Sequence, residues 1–445
     1  MNSQPSTALP AKVRFLRWPL LIVAALLLQA CMVRDAYRQM SEADGACMVR
    51  GSVLQAAALP GPYVVAVIDA DAIADLTAQS GTLKPVDFFV LEQPGQWVFA
   101  LAPGRYRLMA LHKLDGSLVH QADDPLVLWQ GGDILRCGAG DQLNELELDL
   151  GGASEPSPPW RLNLVRQRSG PLGPKAMSLI SLGQATSFGQ VTTLDHARFS
   201  LDIGRDSLWR PVDFMREGHA GVYFLEPYDP SRTPVLFVHG INGSPRVFAD
   251  LIDSLDRQHF QPWVYYYPSA MGLNENADYL THIMLELELR YGLGRYQVVG
   301  HSMGGLVARG FLQRRQQRQA PARVEHFIAL SAPWGGHSGA TLAVGSSPLV
   351  LPVWRDMAAG SAFLDQLFAE PALSERTTKH LLFSFAGGDG LSWGTTDGVI
   401  TLASLLRAEA QDSAETIFGF NVSHIGILSD PEAIERVNRL LAGLP

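Results

Sequence analysis

Clusters of lysine and arginine are missing from this chain of 445 residues. Its formal net charge is -9, and 18% of its residues are charged, whereas 47% are hydrophobic. Nucleic-acid binding needs basic side chains grouped on one surface, so this composition excludes nucleic acid as the main partner. The composition is typical of a globular chain with a good core and not of a disordered one. The length predicts two domains.

A bilayer-spanning apolar run is also missing near the amino terminus. The apolar stretch Pro19–Leu28 is too short to cross a membrane comfortably, follows a segment with three basic residues and is followed by Gln29, Ala30 and Cys31. This arrangement resembles a bacterial lipoprotein signal, in which the cysteine becomes the lipidated first residue of the mature chain. The resemblance implies a signal over residues 1–31 and lipidation of Cys31. A plain export signal or a short membrane anchor are the alternatives.

The residues after that cysteine bear on localisation. Met32, where some lipoproteins have Asp, resembles the form directed to the outer membrane. Several acyl chains on one cysteine anchor a protein stably, whereas one chain is marginal. We therefore expect a cell-envelope protein, anchored by lipid to the outer membrane and facing the periplasm, with residues 32–46 as a polar tether.

Cysteine is scarce, with three residues in the whole chain. If Cys31 carries lipid, only Cys47 and Cys137 are left. An oxidising compartment favours a disulfide between these two. Two buried free thiols are the alternative.

Residues 47–150 are predicted to form a small β-sandwich-like domain. Short runs of alternating apolar residues are separated by turn residues, as in GQWVFALAPGRYRLMAL, which predicts two strands joined at Pro103 and Gly104. The pattern resembles the small transthyretin-like or immunoglobulin-like modules attached to secreted enzymes. No catalytic constellation occurs in it, and any partner of this module is unknown.

A boundary follows at residues 151–160, where Gly, Ser and Pro cluster in GGASEPSPPW. Residues 161–232 give mixed signals, with strands predicted over Val191–Leu201 and Val222–Leu225. We expect this segment to supply edge strands or a collar to the next domain.

From residue 233 to 445 strands and helices alternate, which predicts an α/β domain with a mainly parallel sheet, helices on both faces and ligand sites at the carboxyl ends of the strands. Within it, YQVVGHSMGGLVARG reads as strand, sharp turn and helix. A serine nucleophile needs such a corner, because glycines on either side clear space for the exposed hydroxyl. Ser302 is the predicted nucleophile.

A serine hydroxyl needs a base to remove its proton, and the base needs a carboxylate to hold its tautomer. His424 follows the last predicted strand and is the predicted base. Asp397 follows the preceding strand and is the favoured acid, with Asp389 as the alternative. The chain order Ser, Asp, His is that of the α/β-hydrolases.

Four segments carry a specific resemblance: VLFVHGINGSP, VVGHSMGGLVARG, TTDGVI and SHIGIL. They resemble the α/β-hydrolase fold, nearest to bacterial lipases and related lipid-ester hydrolases, over residues 233–445. The resemblance implies a triad of Ser302, Asp397 and His424. It also implies an oxyanion hole, formed by the N–H group of Ile241 in the His-Gly loop together with that of Met303 after the nucleophile.

Residues 337–376 are apolar-rich and are predicted to form a cap between core strands, where exposed apolar side chains would suit an acyl chain. Two packed core helices are the alternative.

These observations predict a serine hydrolase that cleaves carboxylic esters of acyl or lipid substrates through an acyl-enzyme, with no cofactor and no metal. An acyltransferase, thioesterase or amidase would use the same triad. A hypothesis of another class is a non-catalytic binding or assembly lipoprotein, which an intact Ser, Asp and His set disfavours.

Overall fold

The structure is a computed structural model, and it describes residues 34, 38, 46–55, 63–71, 81–83, 85–91, 94–112, 124–151, 160–162, 187–317, 322–347, 349–369, 373, 376–386 and 396–444. The strands are β1 (Cys47–Leu54), β2 (Tyr63–Asp69), β3 (Gly81–Leu83), β4 (Asp87–Leu91), β5 (Gln96–Leu101), β6 (Gly104–His112), β7 (Leu126–Leu128), β8 (Leu135–Cys137), β9 (Gln142–Asp149), β10 (Trp160–Leu162), β11 (Ser187–Val191), β12 (Gly221–Phe224), β13 (Thr233–Val238), β14 (Phe260–Tyr266), β15 (Arg295–His301), β16 (Arg323–Leu330), β17 (Thr378–Ser384) and β18 (Thr416–Phe420).

A series of α-helices begins at residue 201. They are α1 (Leu201–Trp209), α2 (Pro211–Arg216), α3 (Ala249–Asp253), α4 (Leu273–Tyr291), α5 (Met303–Gln317), α6 (Ser338–Ser346), α7 (Pro352–Met357), α8 (Ala362–Gln366), α9 (Leu402–Leu405), α10 (Ala408–Asp412) and α11 (Pro431–Leu441). None of the described helices is both long enough and apolar enough to cross a bilayer.

Two facing sheets form the amino-terminal module. One has the order β5-β1-β9, and the other the order β4-β2-β6-β7 with β8 also on β6. Alternate residues of these strands, such as Val49 of β1, Val65 of β2 and Phe99 of β5, share one buried cluster, as expected where two pleated sheets pack face to face. Cys47 of β1 and Cys137 of β8 form a disulfide that links the two sheets, with 5.6 Å between their Cα atoms.

The module extends further along the chain than the sequence predicts. The composition places residue 160 in the linker and residue 161 at the start of the collar, but β10 pairs in parallel with β3. Trp160 and Leu162 are buried and pack with Val64 and Met109. Burial of the indole ring outweighs the turn signal of the preceding prolines, because large aromatic side chains dominate the energetics of a core.

The sheet of the α/β domain has eight strands in the order β11-β12-β14-β13-β15-β16-β17-β18. β13 to β18 run parallel, and β12 pairs antiparallel with β14. Every residue of β13 and β14 is buried, which requires cover on both faces, as in parallel sheets generally. β11 and β12 lie at one edge, so the segment predicted as edge strands or collar does contribute edge strands.

The prediction of a strand over Val191–Leu201 was wrong beyond its first residue. β11 ends at Val191, and a short 3-10 helix and α1 follow. The side chain of Ser200 accepts the N–H of Ile203 and so caps α1. A serine cap of this kind starts a helix and outweighs the local β propensity.

Candidate active site

The turn at Ser302 joins β15 to α5 with its backbone in the left-handed region, at a φ of 54°. Its N–H donates to the carbonyl oxygen of Leu330 at 2.8 Å. A Cβ on Gly304 would collide with the carbonyl oxygen of Val238, and one on Gly300 would lie 2.8 Å from that of Gly304. The glycines are therefore required by close backbone approach, and the serine is held on a strained corner of the kind that occurs at functional sites.

Three predicted side chains meet at this corner. His424 Nε2 lies 2.9 Å from Ser302 Oγ, and His424 Nδ1 lies 2.6 Å from Asp397 Oδ2. All three are almost fully buried. With the carboxylate accepting from Nδ1–H, Nε2 is free to accept the serine proton.

Four donors surround the carboxylate of Asp397. The N–H groups of Val399 and Ile400 donate to Oδ1 at 3.0 and 2.7 Å, while Oδ2 accepts from His424 and from the hydroxyl of Ser384, the latter at 2.8 Å. Burial raises the pKa of Asp397, but the hydrogen bond and charge of His424, with those of Ile400 and Ser384, outweigh it and hold the pKa below its usual range.

The backbone of His424 is fixed from two sides. Its N–H donates to the carbonyl oxygen of Asp397 at 2.9 Å, and its own carbonyl oxygen lies 3.0 Å from His301 Nε2. Burial, followed by repulsion from His424, lowers the pKa of His301 to about 3. His301 is therefore neutral at ordinary pH and donates through Nε2–H, which gives the residue beside the nucleophile a positioning contact.

The predicted oxyanion residues belong to two segments that adjoin Ser302. A Cβ built on Gly240 would be 3.0 Å from Ser302 Cβ and 3.5 Å from Ser302 Oγ, so the loop after β13 runs against the nucleophile. Within the described residues, neither the N–H of Ile241 nor that of Met303 donates to another acceptor. Both donors are thus available to a negative charge developing next to the serine.

Hydrogen bonds hold this oxyanion loop, residues 239–243, in place. The carbonyl oxygen of His239 accepts from the hydroxyl of Tyr267 at 2.5 Å, and the two rings stack with centroids 4.5 Å apart. Asn242 has a φ of 55° and donates its N–H to Ser269 Oγ at 3.2 Å. Burial lowers the pKa of His239 to about 4, so this ring is neutral at ordinary pH.

The sequence did not identify the side chains that support the site. Ser384 and Ser331 end the neighbouring strands β17 and β16 or directly follow them, and Tyr267 follows β14. A polar residue directly after a short apolar run was the available signal for the two serines. Tyr267 gave no such signal, because it follows two other tyrosines and the sequence does not distinguish it from a core residue.

Residues 337–376 divide into two parts. α7 and α8 pack into the core through Val353, Met357 and Phe363, as the packed-helix alternative predicted. α6 buries only Ala340 and leaves Leu342 69% exposed. Within the described residues, α6 alone retains the exposed apolar character expected of a cap.

His337 connects α6 to the triad region. Its Nδ1 accepts the N–H of Ala340 at 3.2 Å and caps the helix. Burial, followed by repulsion from His424, lowers the pKa of His337. The exposed helix therefore begins within electrostatic range of the predicted base.

Two predicted residues, Cys31 and the alternative acid Asp389, lie outside the described residues. Asp389 thus stays an alternative, although the described geometry brings Asp397 to His424. In the described part of the chain, no group of three or more His, Cys, Asp or Glu side chains has an arrangement that could hold a metal ion.

A family model described as lecithin:cholesterol acyltransferase matches residues 264–347, which include the turn at Ser302 and the start of α6. The lysosomal phospholipase A and acyltransferase of Canis lupus familiaris is 32% identical over 136 residues, covering 28% of this chain and 30% of the dog protein. The lysosomal thioesterase PPT2-B of Xenopus laevis is 33% identical over 133 residues, covering 27% and 43%. The chain therefore spans less than half the length of these relatives.

Among solved structures, the mature lipase BlEst2 of Bacillus licheniformis is similar, with 19% identity and a TM-score of 0.40 over 49% of this chain and 97% of that one. The parallel sheet, the turn at Ser302 and the chain order Ser302, Asp397, His424 identify the fold independently of that likeness. From Ser187 onward the chain has the α/β-hydrolase fold, and residues 264–347 are similar to the lecithin:cholesterol acyltransferase family.

Proposed function

We propose that this protein is a serine hydrolase that cleaves carboxylic esters of lipid substrates through an acyl-enzyme. The observation that carries the proposal is the hydrogen-bonded series in which Ser302 Oγ lies 2.9 Å from His424 Nε2 and His424 Nδ1 lies 2.6 Å from Asp397 Oδ2. This geometry supplies a nucleophile, its base and the group that orients the base.

In the proposed reaction, His424 takes the proton of Ser302 as Oγ attacks the ester carbonyl carbon. The tetrahedral oxyanion accepts hydrogen bonds from the N–H groups of Ile241 and Met303. His424 then gives the proton to the leaving alcohol oxygen, the C–O bond breaks and the acyl group stays on Ser302. Water, deprotonated by His424, then attacks the acyl carbon. The bond from that carbon to Ser302 Oγ breaks, His424 returns the proton to Oγ, and the acid is released.

Exposed apolar side chains near the triad support a lipid substrate. Ile425 directly follows His424 and is 58% exposed, and Val399 lies two residues after Asp397 and is 47% exposed. Leu342 and Val344 are exposed on α6, whose capping residue His337 lies within electrostatic range of His424. These exposed apolar side chains suit an acyl chain, because removing apolar surface from water is favourable.

Transfer of the acyl group to an alcohol instead of water is the second candidate. It is favoured by the matched family model and by the dog relative, whose names include acyltransferase. A thioesterase is named among the relatives as well. Both reactions pass through the same acyl-enzyme, so the second substrate decides the product.

The test is hydrolysis of p-nitrophenyl esters from acetate to palmitate by protein lacking residues 1–31, with Ser302→Ala as the control. We expect activity that is lost in Ser302→Ala and rises with chain length. Incubation with phospholipid vesicles, with and without an added long-chain alcohol, shows whether the product is the free acid or a new ester. Activity of Ser302→Ala equal to wild type, or no labelling of Ser302 by a fluorophosphonate, would contradict the proposal and favour a binding protein.

We also propose that the mature chain is attached to the outer membrane, on its periplasmic side, by lipid on Cys31. The support is the sequence around Cys31. Expression with an alkyne-bearing fatty acid should label the wild type and not Cys31→Ala, and the variant should leave the membrane fraction. Equal labelling of both proteins would contradict the proposed anchor.

A further inference from the structure

We propose that Ser331 and Ser384 are positioning residues, and that their two hydroxyls form a relay that orients Asp397 and moderates its charge toward His424. This inference rests on the proposed function, because it assigns a role within the same site. Neither residue contacts the reacting atoms, so any effect on the reaction passes through Asp397.

The relay is defined by three short contacts. Ser384 Oγ lies 2.8 Å from Asp397 Oδ2, and Ser331 Oγ lies 2.7 Å from Ser384 Oγ. The N–H of Ser384 donates to Ser331 Oγ at 3.1 Å. Both serines are fully buried.

The direction of each hydrogen bond follows from the available protons. An ionised carboxylate can only accept, so the hydroxyl proton of Ser384 points to Asp397 Oδ2. That leaves Ser384 Oγ as the acceptor in its contact with Ser331, whose hydroxyl proton must point to Ser384. The positive ends of two O–H dipoles therefore point in sequence toward the carboxylate, and hydrogen bonds in such a chain strengthen one another.

The backbone of Ser331 gives independent support. Its φ is 49°, in the left-handed region, and its N–H donates to the carbonyl oxygen of Leu382 at 2.8 Å. A glycine would adopt this conformation without steric cost, whereas a serine is strained there. What the serine adds is the hydroxyl, and that hydroxyl is committed to Ser384.

The two serines act on the oxygen that contacts the base. Oδ1 is held by two backbone N–H groups, which no side-chain substitution removes, whereas Oδ2 is shared between His424 and Ser384. Without the Ser384 hydroxyl, Oδ2 carries more uncompensated negative charge next to Nδ1. Protonation of His424 then becomes more favourable, and the base is less free to accept the serine proton.

The experiment measures the rate at which a fluorophosphonate labels Ser302 as a function of pH, in full-length wild type, Ser384→Ala, Ser331→Gly and the double variant. Labelling needs the nucleophile and its base but no particular ester. Glycine is chosen at residue 331 because it removes the hydroxyl and relieves the left-handed backbone. Thr281→Val is the matched control, since it removes another fully buried hydroxyl, which donates to the carbonyl oxygen of Ala277 at 2.7 Å.

We expect Ser384→Ala to label about tenfold more slowly, since a hydrogen bond to a charged group is worth about 1.4 kcal/mol or more and that energy corresponds to a factor of ten. The acid limb of its profile, which is the pH range in which the labelling rate falls as the pH decreases, should move to higher pH. Ser331→Gly should shift in the same direction by less, and the double variant should match Ser384→Ala, because Ser331 acts only through Ser384. Thr281→Val should keep the wild-type profile.

The other titratable groups near His424 set the background. His301 and His337 face it, and His239 lies near His301. Burial lowers the pKa of each of these three, to about 3 for His301 and about 4 for His239. They are common to all five proteins, so a difference between profiles belongs to the substituted hydroxyl.

An unchanged acid limb with a lowered melting temperature in Ser384→Ala would overturn the inference and leave the serines a purely structural role. Additive effects in the double variant would overturn the relay. If the wild type itself is not labelled, the proposed function fails. If the wild type is labelled and the variants have the same pH profile, only the inference about the serines fails.

Discussion

The hydroxyl of Tyr267 donates to the carbonyl oxygen of His239 at 2.5 Å, and this bond holds the peptide group that precedes Gly240. Both residues are fully buried. Burial raises the pKa of Tyr267, so it stays protonated and remains a donor. The oxyanion loop is thus fixed in position before any substrate binds, which is the condition for effective stabilisation of a developing charge.

Tyr267→Phe is predicted to lower kcat by about tenfold. Removing an oxyanion donor typically lowers kcat by a factor of about 10² to 10³, and a donor that is only less firmly held should lose part of that factor. KM should change little. Tyr265→Phe is the matched control, because Tyr265 is equally buried and stacks on Tyr267, but its hydroxyl donates to Asn276 at 2.9 Å. Steady-state kinetics of both variants test the idea, and equal losses would contradict it.

His301→Leu is predicted to reduce kcat and to lower the free energy of unfolding by about 1 to 3 kcal/mol, because it leaves the buried carbonyl of His424 without its donor. His301→Gln retains an N–H donor and should recover part of both quantities. Denaturant melts and kinetics provide the measurement. A fully active Leu variant would show that the contact does not position the base.

The disulfide between Cys47 and Cys137 closes a loop of 90 residues. In the chain-entropy account a cross-link that closes a loop of this length stabilises a fold by about 4.6 kcal/mol. Replacing both cysteines with Ala should therefore lower the unfolding transition of the amino-terminal module. Calorimetry with and without reductant tests this. The proposed esterase activity should survive, because the triad belongs to the eight-stranded sheet and not to this module. A reductant-insensitive transition in the wild type would count against the bond.

The imidazoles of His326 and His380 predict acid sensitivity of the fold. Nδ1 of His326 lies 3.1 Å from Nε2 of His380 on the adjacent strand, and His380 Nδ1 is buried without a partner among the described residues. Burial, then repulsion by His326, lowers the pKa of His380 to about 4 from 6.5. A lowered histidine pKa means that the unfolded chain binds the proton first.

The unfolding free energy should therefore be complete above pH 6.5 and decline as the pH falls from 6.5 to about 4. His380→Phe should reduce this slope, and His259→Gln, at a solvent-exposed histidine, should not. Urea melts across that range provide the measurement. Other buried histidines also contribute to the pH dependence, so His380→Phe should reduce the slope without removing it. The same slope of unfolding free energy against pH in wild type and His380→Phe would contradict the prediction.

The fold class was predictable because its signals are local. Buried strands are continuous apolar runs, the turn at Ser302 needs its glycines, and the closing helix Pro431–Leu441 begins with a capping Asp and a Pro. The extent of the amino-terminal module was not predictable. β10 is three residues long and is defined by its pairing with β3, which lies far away in the sequence.

The supporting side chains depend on register between strands. Ser331 and Ser384 meet because β16 and β17 are neighbours whose ends align, with Leu330 opposite Leu382. A sequence shows that each serine follows an apolar run, but it does not show which strands are adjacent. The residues with direct chemical roles were accessible from the motifs, whereas the residues that orient them became visible only with the sheet order.

The end of β16 contacts both sides of the candidate site. The carbonyl of Leu330 accepts the N–H of Ser302, while the next residue, Ser331, supports Ser384 and through it Asp397. A displacement of this strand end would carry the nucleophile and the acid in the same direction, so the spacing between them is conserved even when the sheet moves. We therefore expect any motion of this strand end to be shared by Ser302 and Asp397.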